Sequence, residues 1–563
     1  MTNQLIECVP NFSEGRDMAV IKQITDQVET VEGVMLLDVD PGKATNRTVV
    51  TFVGPPEQVL EAAVRAVRKA SELIDMRHHK GEHPRFGATD VCPLVPVANI
   101  TMEETVEYAR KLGKRLGDEL GVTVYCYENA AFKPEWRNLA TVRAGEYEGL
   151  KDKLARPEWK PDFGPAEFNP KTGATAVGAR DFLVAYNVNL NTTSTRRANA
   201  VAFDIREKGR EKRDPVTGQI VKDEKGHTVW IPGTLKACKA IGWYIEEYGV
   251  AQISINLTNI GITPVHVAFD EACKMAAHRG IRVTGSELVG MIPLRAMLDA
   301  GRYFLRKQHR STGVSDKELI KIAVKSLGLG DLAPFKPEDK IIEYAIAARQ
   351  GKKRKLIVEM PLAGFVEETA SESPAPGGGS VAASMGAMGA ALATMVANLS
   401  SHKRGWDARW EEFSNWADKG KAYYVELLRL IDDDTAAFNK VMDAMGLPKG
   451  TDAEKAERTR AIQAATKGAI EIPLRVMEVA LASMEVAKAM AEIGMEASVS
   501  DAGVAALCAR SAVMGAHLNV RINCPSLTDK GNVSQVLSKA ADLERQAIAK
   551  EREILDIVAG KIK

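Results

Sequence analysis

The sequence predicts an α+β region followed by an all-α region, and two observations lead to that prediction. The first half of the chain alternates strand-like apolar runs with amphipathic helical runs. From about Leu362 to the end, Ala, Met and Leu recur at helical spacing with little strand signal. A length of 563 residues is enough for about three or four domains. We therefore expect several domains of two different classes.

The N-terminal stretch predicts strands and helices in the order β-α-β-β-α-β. Strands are expected at 5–9, 34–39, 48–53 and 88–97, with Pro41-Gly42 between the second and the third. Helices are expected at 18–31 and 56–74, where the apolar residues have helical periodicity. This order of elements is typical of a ferredoxin-like sandwich.

A second α/β unit is expected to begin near Phe182. Its strands are predicted at 182–190, 253–257 and 281–283, and the polar stretch 210–232 is interpreted as a surface excursion, such as a hairpin. Two similar units in series form a cleft at their junction, which is a usual place for a ligand. The predicted boundaries are 1–180, 181–346, a charged linker at 347–357 and a helical bundle at 358–563.

Composition narrows the class of protein. Lys plus Arg number 75 and Asp plus Glu number 74, so the chain lacks the basic excess of a dedicated nucleic-acid binder. The 7 cysteines are scattered without a C-x-x-C pair, which indicates a reducing compartment rather than a disulfide framework. The N-terminus does not resemble a signal peptide. We expect a cytoplasmic protein that binds no nucleic acid.

One uncharged stretch could be mistaken for a membrane span. Residues 379–399 are mostly Ala, Gly, Ser and Met, with few strong hydrophobes. Because alanine and glycine gain little on leaving water, insertion into a membrane would be weakly driven. We predict a buried helix of a helical domain and no membrane partner.

The loop from Met76 to Arg85 holds three of the chain's nine histidines. Histidine titrates near neutrality, so a proton-transfer site is the favoured interpretation. A zinc site is the alternative, because His79 and His83 match an H-x-x-E-H pattern that works only on a helix. Gly81 and Pro84 argue against that helix. A solvated basic loop is the third interpretation.

A glycine-rich turn, Ser373-Pro-Ala-Pro-Gly-Gly-Gly-Ser380, leads directly into the small-residue helix. Backbone N–H groups at such a helix start can face a ligand, since the N-terminus of a helix has partial positive charge. A flexible linker is the other interpretation, and composition does not separate the two.

A helix is predicted from about 422 to 445, and its periodicity directs Asp434 inward, whereas Asp432 and Asp433 lie off the apolar stripe and can be solvated. The apolar stripe that defines this inward face is Tyr424, Leu427, Leu428, Ile431, Phe438, Val441, Met442 and Met445. A carboxylate on an inward face is either part of a structural pair or positioned for chemistry. If the helix register differs slightly, Asp433 would face inward instead.

Nine short motifs together resemble one known family. They lie at 7–15, 37–40, 45–48, 81–85, 90–93, 159–173, 178–180, 375–383 and 432–438. The chain is similar, over nearly its whole length, to the fused formimidoyltransferase-cyclodeaminases, with the transferase motifs first and the deaminase motifs last. Any one motif alone would be weak, whereas the combination in this order is specific.

The resemblance implies a bifunctional folate enzyme of histidine degradation. Its first step moves the formimidoyl group from N-formimidoyl-L-glutamate to N5 of tetrahydrofolate. Its second step closes the ring to 5,10-methenyltetrahydrofolate and releases ammonia. The family has two ferredoxin-like transferase subdomains and an all-helical homodimeric deaminase, so a homo-oligomer is implied. Tetrahydrofolate, free or polyglutamylated, is the acceptor, and no metal is required.

The family's catalytic residues fall on His83 for transfer and on Asp434 for deamination, and a conspicuous aspartate near the histidine falls on Asp40. The folate-contacting segment falls on Gly164, Pro165, Ala166, Glu167, Phe168, Asn169, Pro170, Lys171, Thr172 and Gly173. Physical reasoning adds candidate substrate-binding residues in the loop from Met76 to Arg85, called the histidine loop, and in the glycine-rich turn from Ser373 to Ser380. These are Glu82, Arg85, Gly377, Gly378, Gly379 and Ser380.

Other functions remain open from the sequence. The chain could be a folate-binding protein with one inactive site, or the helical domain could act as a methenyltetrahydrofolate cyclohydrolase. A zinc hydrolase using His79 and His83 is a further alternative. The excursion at 210–232 is longer than the family pattern leads one to expect.

Overall fold

A computed structural model of the protein describes residues 4–43, 45–81, 84–349 and 356–562. The chain folds into two compact units, each of which makes most of its contacts within itself. The first, called the α+β unit, comprises 1–300 and 323–351, and the second, called the helical unit, comprises 301–322 and 352–563. The predicted fold class is confirmed, because all strands of the described residues lie in the α+β unit and those of 356–562 form only helices.

The first sheet has seven strands. They are β1 (Leu5–Cys8), β2 (Asn11–Phe12), β3 (Met35–Gly42), β4 (Arg47–Gly54), β5 (Thr89–Ala98), β6 (Thr123–Glu128) and β7 (Ala174–Ala179). Strands β1 and β2 act as one strand that Pro10 interrupts, since both pair antiparallel with β4 and β5. With β3 outside β4, these strands have the predicted ferredoxin-like order. Strands β7 and β6 extend the sheet beyond β5 in parallel and were not predicted.

Three amphipathic helices cover one face of this sheet. They are α1 (Met18–Glu29), α2 (Pro56–Leu73) and α3 (Met102–Leu120), and the short helices α4 (Leu139–Val142) and α5 (Leu150–Leu154) follow β6. Every second residue of the strands, such as Ile6, Phe52 and Leu94, is buried in the core beneath the three long helices. Because side chains alternate between the faces of a strand, the residues between these point to the opposite face of the sheet.

The second sheet of the α+β unit has the predicted ferredoxin-like order of elements. Its elements are β8 (Val184–Leu190), α6 (Thr195–Ile205), β9 (Arg210–Glu211), β10 (Trp230–Ile231), β11 (Cys238–Ile245), β12 (Val250–Leu257), α7 (Val265–His278) and β13 (Val283–Val289). The four long strands are antiparallel in the order β11-β12-β8-β13. Strands β9 and β10 pair within the polar excursion, which is therefore a hairpin as predicted.

Strand β11 is absent from the prediction, and its sequence explains why. It is an edge strand whose buried positions are Cys238, Ala240 and Gly242, while Ile241 is 51% exposed. In a half-buried strand the large apolar residues are expected at the buried positions. Here a glycine is buried and an isoleucine is exposed, so the sequence does not show the alternation that indicates a strand.

Four helices follow the second sheet. They are α8 (Leu294–Lys307), α9 (Asp316–Leu327), α10 (Pro337–Lys340) and α11 (Ile342–Arg349). Residues 301–322, which the sequence assigns to the second subdomain, pack inside the helical unit, where Thr312 donates a 2.5 Å hydrogen bond to Asp418. The domain boundaries stay predictions, and residues 350–355 of the predicted linker lie outside the described residues.

The helical unit is built around one alanine-rich core. Its helices are α12 (Leu362–Thr369), α13 (Gly378–Ser401), α14 (Trp410–Met445), α15 (Asp452–Ile493), α16 (Val499–Asn523) and α17 (Lys530–Lys561). Small side chains let α13 pack closely against α14 and α16. Among the described helices, α13 alone is long and apolar enough to cross a membrane, and 61% of its most apolar window is buried, as predicted.

The predicted apolar stripe of α14 is only partly buried. Helix α14 begins at Trp410, earlier than expected, and Leu427 and Ile431 enter the core. However, Leu428 is 39% exposed, Met442 is 50% exposed and Met445 is 49% exposed. The inward prediction for these three residues is wrong, because the neighbouring helices cover only part of the stripe.

Candidate active sites

A cavity of about 520 Å³ lies on the face of the seven-stranded sheet opposite to α1, α2 and α3. Alternate strand residues form its floor: Glu7, Val9, Asn11, Arg47, Val49, Thr51, Val91 and Pro93. The facing wall comes from the second half of the α+β unit and includes Phe182, Lys239 and Asn256. The cleft expected between the two α/β units is therefore present.

The cavity is lined by more cations than acids. Its cations are Arg47, Arg143, Arg180 and Lys239, and its acids are Glu7 and Glu146. Guanidinium groups bind carboxylates with two parallel hydrogen bonds, so this lining suits a ligand that has several carboxylates.

A buried charge network supports the floor of the cavity. Asp90 is fully buried, accepts a hydrogen bond from the Phe86 N–H at 3.1 Å and pairs with Arg143 at 3.2 Å. Burial raises the pKa of Asp90, and Arg143 and Arg47 oppose that rise. Burial also lowers the pKa of Arg47 to about 10, which leaves its guanidinium charged at neutral pH.

Asp40 lies on β3 directly opposite Val49 of β4. Residues opposite one another in an antiparallel pair have their side chains on the same face of the sheet. Asp40 therefore shares the face that bears the cavity, and its charge acts on Arg47, although the described lining does not include it. Its catalytic role stays a prediction.

The loop that contains the predicted catalytic histidine is anchored on both sides. Glu82 and His83 themselves lie outside the described residues. On one side, Asn46 donates a 3.1 Å hydrogen bond to the Lys80 carbonyl, and a Cβ added to Gly81 would lie 2.1 Å from the Thr45 carbonyl oxygen. On the other side, Arg143 donates a 3.0 Å hydrogen bond to the carbonyl of Pro84, which also lines the cavity.

His79 is a buried, hydrogen-bonded residue. Its Nδ1 accepts from Arg85 Nε at 3.2 Å, so the proton is on Nε2, which donates to the Asn46 carbonyl at 2.7 Å. Burial lowers the pKa of His79, which keeps the ring neutral. With both ring nitrogens occupied, His79 is not available as the zinc ligand of the H-x-x-E-H interpretation.

Arg85 is held by acids of a neighbouring turn. Its two Nη atoms donate to the Glu148 carboxylate at 2.9 and 2.7 Å, and Glu146 accepts at 3.3 Å. A bidentate pair of this kind fixes the guanidinium plane. The substrate-binding role of Arg85 stays a prediction, and in this arrangement its hydrogen bonds go to the protein.

The predicted folate-contacting segment, residues 164–173, contacts β6 at its start and the loop from Met76 to Arg85 and the residues after it at its end. Thr123 donates a hydrogen bond to the Pro165 carbonyl at 2.8 Å, and residues 164–167 are exposed. Further along, the Met76 N–H donates to the Lys171 carbonyl at 2.9 Å and Ala88 donates to the Thr172 carbonyl at 2.8 Å. The C-terminal part of the segment thus lies against the histidine loop, although none of its ten residues is in the described cavity lining.

A second candidate site lies at the N-terminus of α13 in the helical unit. Ser380 Oγ lies 2.9 Å from Asp434 Oδ2, to which it donates, and 3.2 Å from Thr435 Oγ1. Burial raises the pKa of Asp434, and the hydroxyl and N–H of Ser380 oppose that rise. Asp434 is therefore on the inward face, as predicted, and stabilises the start of α13 by its charge.

The other two acids of the triplet have different surroundings. Asp432 accepts from the Ile357 N–H at 2.8 Å, so the prediction that it is solvated is wrong. Asp433 pairs with Arg429 at 2.6 Å, one turn earlier on the same helix. The alternative register, with Asp433 inward, is excluded.

Comparison with known proteins covers both units. Residues 5–180 match the family model of the formiminotransferase domain, N-terminal subdomain, 185–347 match that of the formiminotransferase domain, and 361–542 match that of formiminotransferase-cyclodeaminase. The formimidoyltransferase-cyclodeaminase of Sus scrofa is 42% identical over 98% of this chain and 98% of its own length. The chain belongs to the formimidoyltransferase-cyclodeaminase family. The resemblance found in the sequence is confirmed.

Separate relatives match the two parts of this family's fused chain. The glutamate formimidoyltransferase of Streptococcus pyogenes is 41% identical over 54% of this chain and 94% of its own length. The methenyltetrahydrofolate cyclohydrolase of Methylorubrum extorquens is 38% identical over 35% of this chain and 95% of its own length. Proteins similar to each part of the chain therefore also occur on their own.

Sequence reasoning missed several residues of the transferase cavity. Glu7, Arg47, Arg143 and Arg180 line it, but only tertiary structure brings them together. Their alternation along β1 and β4 was a usable signal for Glu7 and Arg47. Arg143 ends the four-residue helix α4, which is too short to show a periodicity.

Gly379 lets α13 approach Asp434, and this gives a prediction. A Cβ at Gly379 would lie 2.2 Å from Asp434 Oδ1, so Gly379→Ala must displace the carboxylate. We expect it to lower deaminase activity at least about tenfold, since a misplacement of 1 Å can be costly in catalysis. Separate assays of ammonia release and formimidoyl transfer would measure this effect.

Gly468→Ala is the matched control, because a Cβ there meets no atom within 4 Å. It lies within α15, so the substitution is expected to stabilise the helix slightly and leave both activities intact. Full deaminase activity in Gly379→Ala would show that the position of Asp434 is not critical.

Proposed function

We propose that the protein is a bifunctional folate enzyme of histidine degradation. It transfers the formimidoyl group from N-formimidoyl-L-glutamate to tetrahydrofolate and then cyclises 5-formimidoyltetrahydrofolate to 5,10-methenyltetrahydrofolate with release of ammonia. The observation that supports this function best is the 42% identity to a formimidoyltransferase-cyclodeaminase along 98% of both chains.

For the transfer step, we assign general acid–base catalysis to His83. The N5 atom loses a proton as it attacks the amidine carbon, and the nitrogen of glutamate gains one as it leaves. One imidazole can accept the first proton and donate the second. Pro84, the next residue in the chain, lines the cation-rich cavity, which supports placing the step there.

For the cyclisation step, we assign Asp434 as the acidic group. N10 attacks the same carbon while the amidine is positively charged, and ammonia leaves. A carboxylate positioned beforehand stabilises that charge and shuttles the proton. The Ser380 hydrogen bond to Asp434 supports this assignment, because it orients the carboxyl group at the start of α13. The glycines from Gly377 to Gly379 are proposed to contact the folate.

The helical unit has a second candidate function, methenyltetrahydrofolate cyclohydrolysis. The relative from Methylorubrum extorquens that has this name is 38% identical over 198 residues. The cyclohydrolase reaction consumes methenyltetrahydrofolate and releases no ammonia, so the two activities are separable.

One coupled assay tests these functions. Purified protein receives N-formimidoyl-L-glutamate and tetrahydrofolate with a chelator, and methenyltetrahydrofolate and ammonia are followed together. We expect equal amounts of both, which would also support the proposal that neither step needs a metal. Hydrolysis of added methenyltetrahydrofolate without ammonia release would favour the cyclohydrolase. Folate binding without any product would contradict both catalytic assignments.

We also propose that the protein is a cytoplasmic homo-oligomer that associates through the helical unit. Helices α13 and α16 pack against each other, and each has an exposed apolar stripe. The exposed members are Met388, Met395 and Leu399 on α13 and Val504, Leu507, Leu518 and Ile522 on α16. Exposed apolar residues that cluster on two packed helices are typical of an interface. A second copy would cover it, and the free thiols of all seven cysteines suit a reducing cytoplasm.

Charged substitutions on α16 are expected to break the assembly. Leu518 is 64% exposed and Ile522 is 75% exposed, one helical turn apart. Burying two carboxylates in an apolar interface is unfavourable, so the double variant Leu518→Glu with Ile522→Glu should have a smaller mass by light scattering. Ile231→Glu, on the exposed hairpin of the α+β unit, serves as the control. An unchanged mass of the double variant would place the interface elsewhere.

A further inference from the structure

Glu7 is a buried acid that faces the transferase cavity. Its side chain is 4% exposed, and its neighbours Ile6 and Cys8 enter the core beneath the helices. Because β-strand side chains alternate, Glu7 points to the opposite face, where it lines the cavity. Strand β1 pairs with β4 on one side and with β5 on the other, so it is a central strand of the sheet. The backbone of Glu7 is therefore fixed by hydrogen bonds on both sides.

The carboxyl group of Glu7 has no partner within the described part of the chain. No described group donates a hydrogen bond to it or forms an ion pair with it, although the charges of Arg180 and Glu343 act on it. The other buried acid of the cavity region, Asp90, is paired with Arg143. A buried carboxylate without donors is unfavourable, so this group is available to a ligand that enters the cavity.

We propose that Glu7 binds the formimidoyl group of the donor substrate, which is an amidinium cation. This inference rests on the transferase function proposed above. A protonated amidine presents two N–H groups in the same fork as a guanidinium, so it can donate to both carboxylate oxygens at once. The cations Arg47, Arg180 and Lys239 suit the carboxylates of glutamate and folate, whereas Glu7 suits the one cationic group.

In the reaction, Glu7 stabilises the charge of the electrophile. The bond from N5 to the amidine carbon forms, and the bond from that carbon to the glutamate nitrogen breaks. The proton that N5 loses balances the proton that the glutamate nitrogen gains, so Glu7 neither gains nor loses one over the cycle. By keeping the amidine protonated, the carboxylate keeps its carbon electrophilic.

The donor affinity is expected to depend on pH. Burial raises the pKa of Glu7 to about 7, Arg180 opposes the rise and Glu343 adds to it. The charged and titratable groups of the described cavity lining are Glu7, Arg47, Tyr127, Arg143, Glu146, Arg180 and Lys239. Only the ionised form of Glu7, present above its pKa, pairs with a cation. The affinity for the donor should therefore fall as the pH drops through about 7.

Calorimetry with two ligands tests the inference without any turnover. N-formimidoyl-L-glutamate is compared with N-formyl-L-glutamate, which has the same carboxylates but an uncharged amide in place of the amidinium. The wild type should bind the formimidoyl compound more tightly. Glu7→Gln should weaken that ligand roughly 10- to 100-fold, the effect of one charged hydrogen-bonded pair, and leave the formyl compound nearly unchanged.

Two further variants keep the test specific. Glu7→Asp retains the charge and should retain part of the discrimination. Glu287→Gln alters an acid that is bonded to Tyr248 and Gln252 and is absent from the described cavity lining, so it should leave both affinities intact. Because ammonia release depends on the helical unit alone, the folding of each variant is checked by its circular dichroism spectrum and thermal unfolding profile, which should both match the wild type.

Two outcomes would overturn the role of Glu7. Either Glu7→Gln still discriminates between the ligands, or it weakens both of them equally. Failure of the transferase function has a different signature. A wild type that binds and discriminates but never transfers the group to tetrahydrofolate would refute that function and leave Glu7 as the amidinium site.

Discussion

Replacing Asp434 by asparagine is expected to lower ammonia release from 5-formimidoyltetrahydrofolate roughly 100- to 10,000-fold, the usual contribution of an acid–base group. Asparagine retains the shape of the side chain and can still accept the Ser380 hydrogen bond, so the start of α13 should stay intact. What it loses is the negative charge next to the amidinium and the ability to carry a proton. Formimidoyl transfer, measured separately, should be unchanged.

Asp433→Asn is the matched control for this prediction. Asp433 lies next to Asp434 on the same helix, but its partner is Arg429 at the surface. An exposed pair within a helix contributes about 0.3–0.5 kcal/mol, so this variant should retain its ammonia release. Equal losses in both variants would indicate damage to α14 rather than chemistry at Asp434, and full activity of Asp434→Asn would refute its catalytic role.

Replacing His83 by asparagine is expected to lower formimidoyl transfer by a similar factor, because no other group would carry the proton from N5 to the leaving nitrogen. Deamination of supplied 5-formimidoyltetrahydrofolate should continue, since Asp434 lies in the other unit. The coupled assay would then show no methenyltetrahydrofolate from N-formimidoyl-L-glutamate, whereas the second step alone would run normally.

His78→Asn provides the control within the same loop. His78 is exposed and ends the short helical turn that Asp75 caps, so its ring is not needed for the fold. It should transfer the formimidoyl group like the wild type. Transfer that survives in His83→Asn would move the proton-carrying role to another group, and the raised pKa of Glu7 would make that acid the first to examine.

The sequence predicted the class and order of elements because periodicity is a local property. The first ferredoxin-like unit is a clear case, since Ile6 and Cys8 alternate with Glu7 along one strand. Strands β6, β7 and β11 escaped prediction, the last because Gly242 and Ile241 invert its alternation. Helical spacing alone predicted that Asp434 faces inward. Its hydrogen bond with Ser380 of α13 confirms that orientation.

Partners distant in sequence could not be predicted in this way. The stripe of α14 predicted Met442 and Met445 to be buried, but burial depends on which helices lie opposite, and none of the described ones covers these residues. Asp432 was expected in solvent, yet the Ile357 N–H lies 75 positions earlier in the chain and donates to it.

By itself, the sequence determined the family and the two-part architecture and suggested candidate residues for both sites, because motifs and periodicity depend only on residues close together in the chain. Only the tertiary structure decided that Glu7 and Arg47 share a cavity, that Arg85 is held by Glu148, and that Gly379 makes room for Asp434. Each of these depends on where distant strands and helices pack. How these elements pack depends on the side chains of all the elements that meet in a core, and the sequence of a single segment does not determine it.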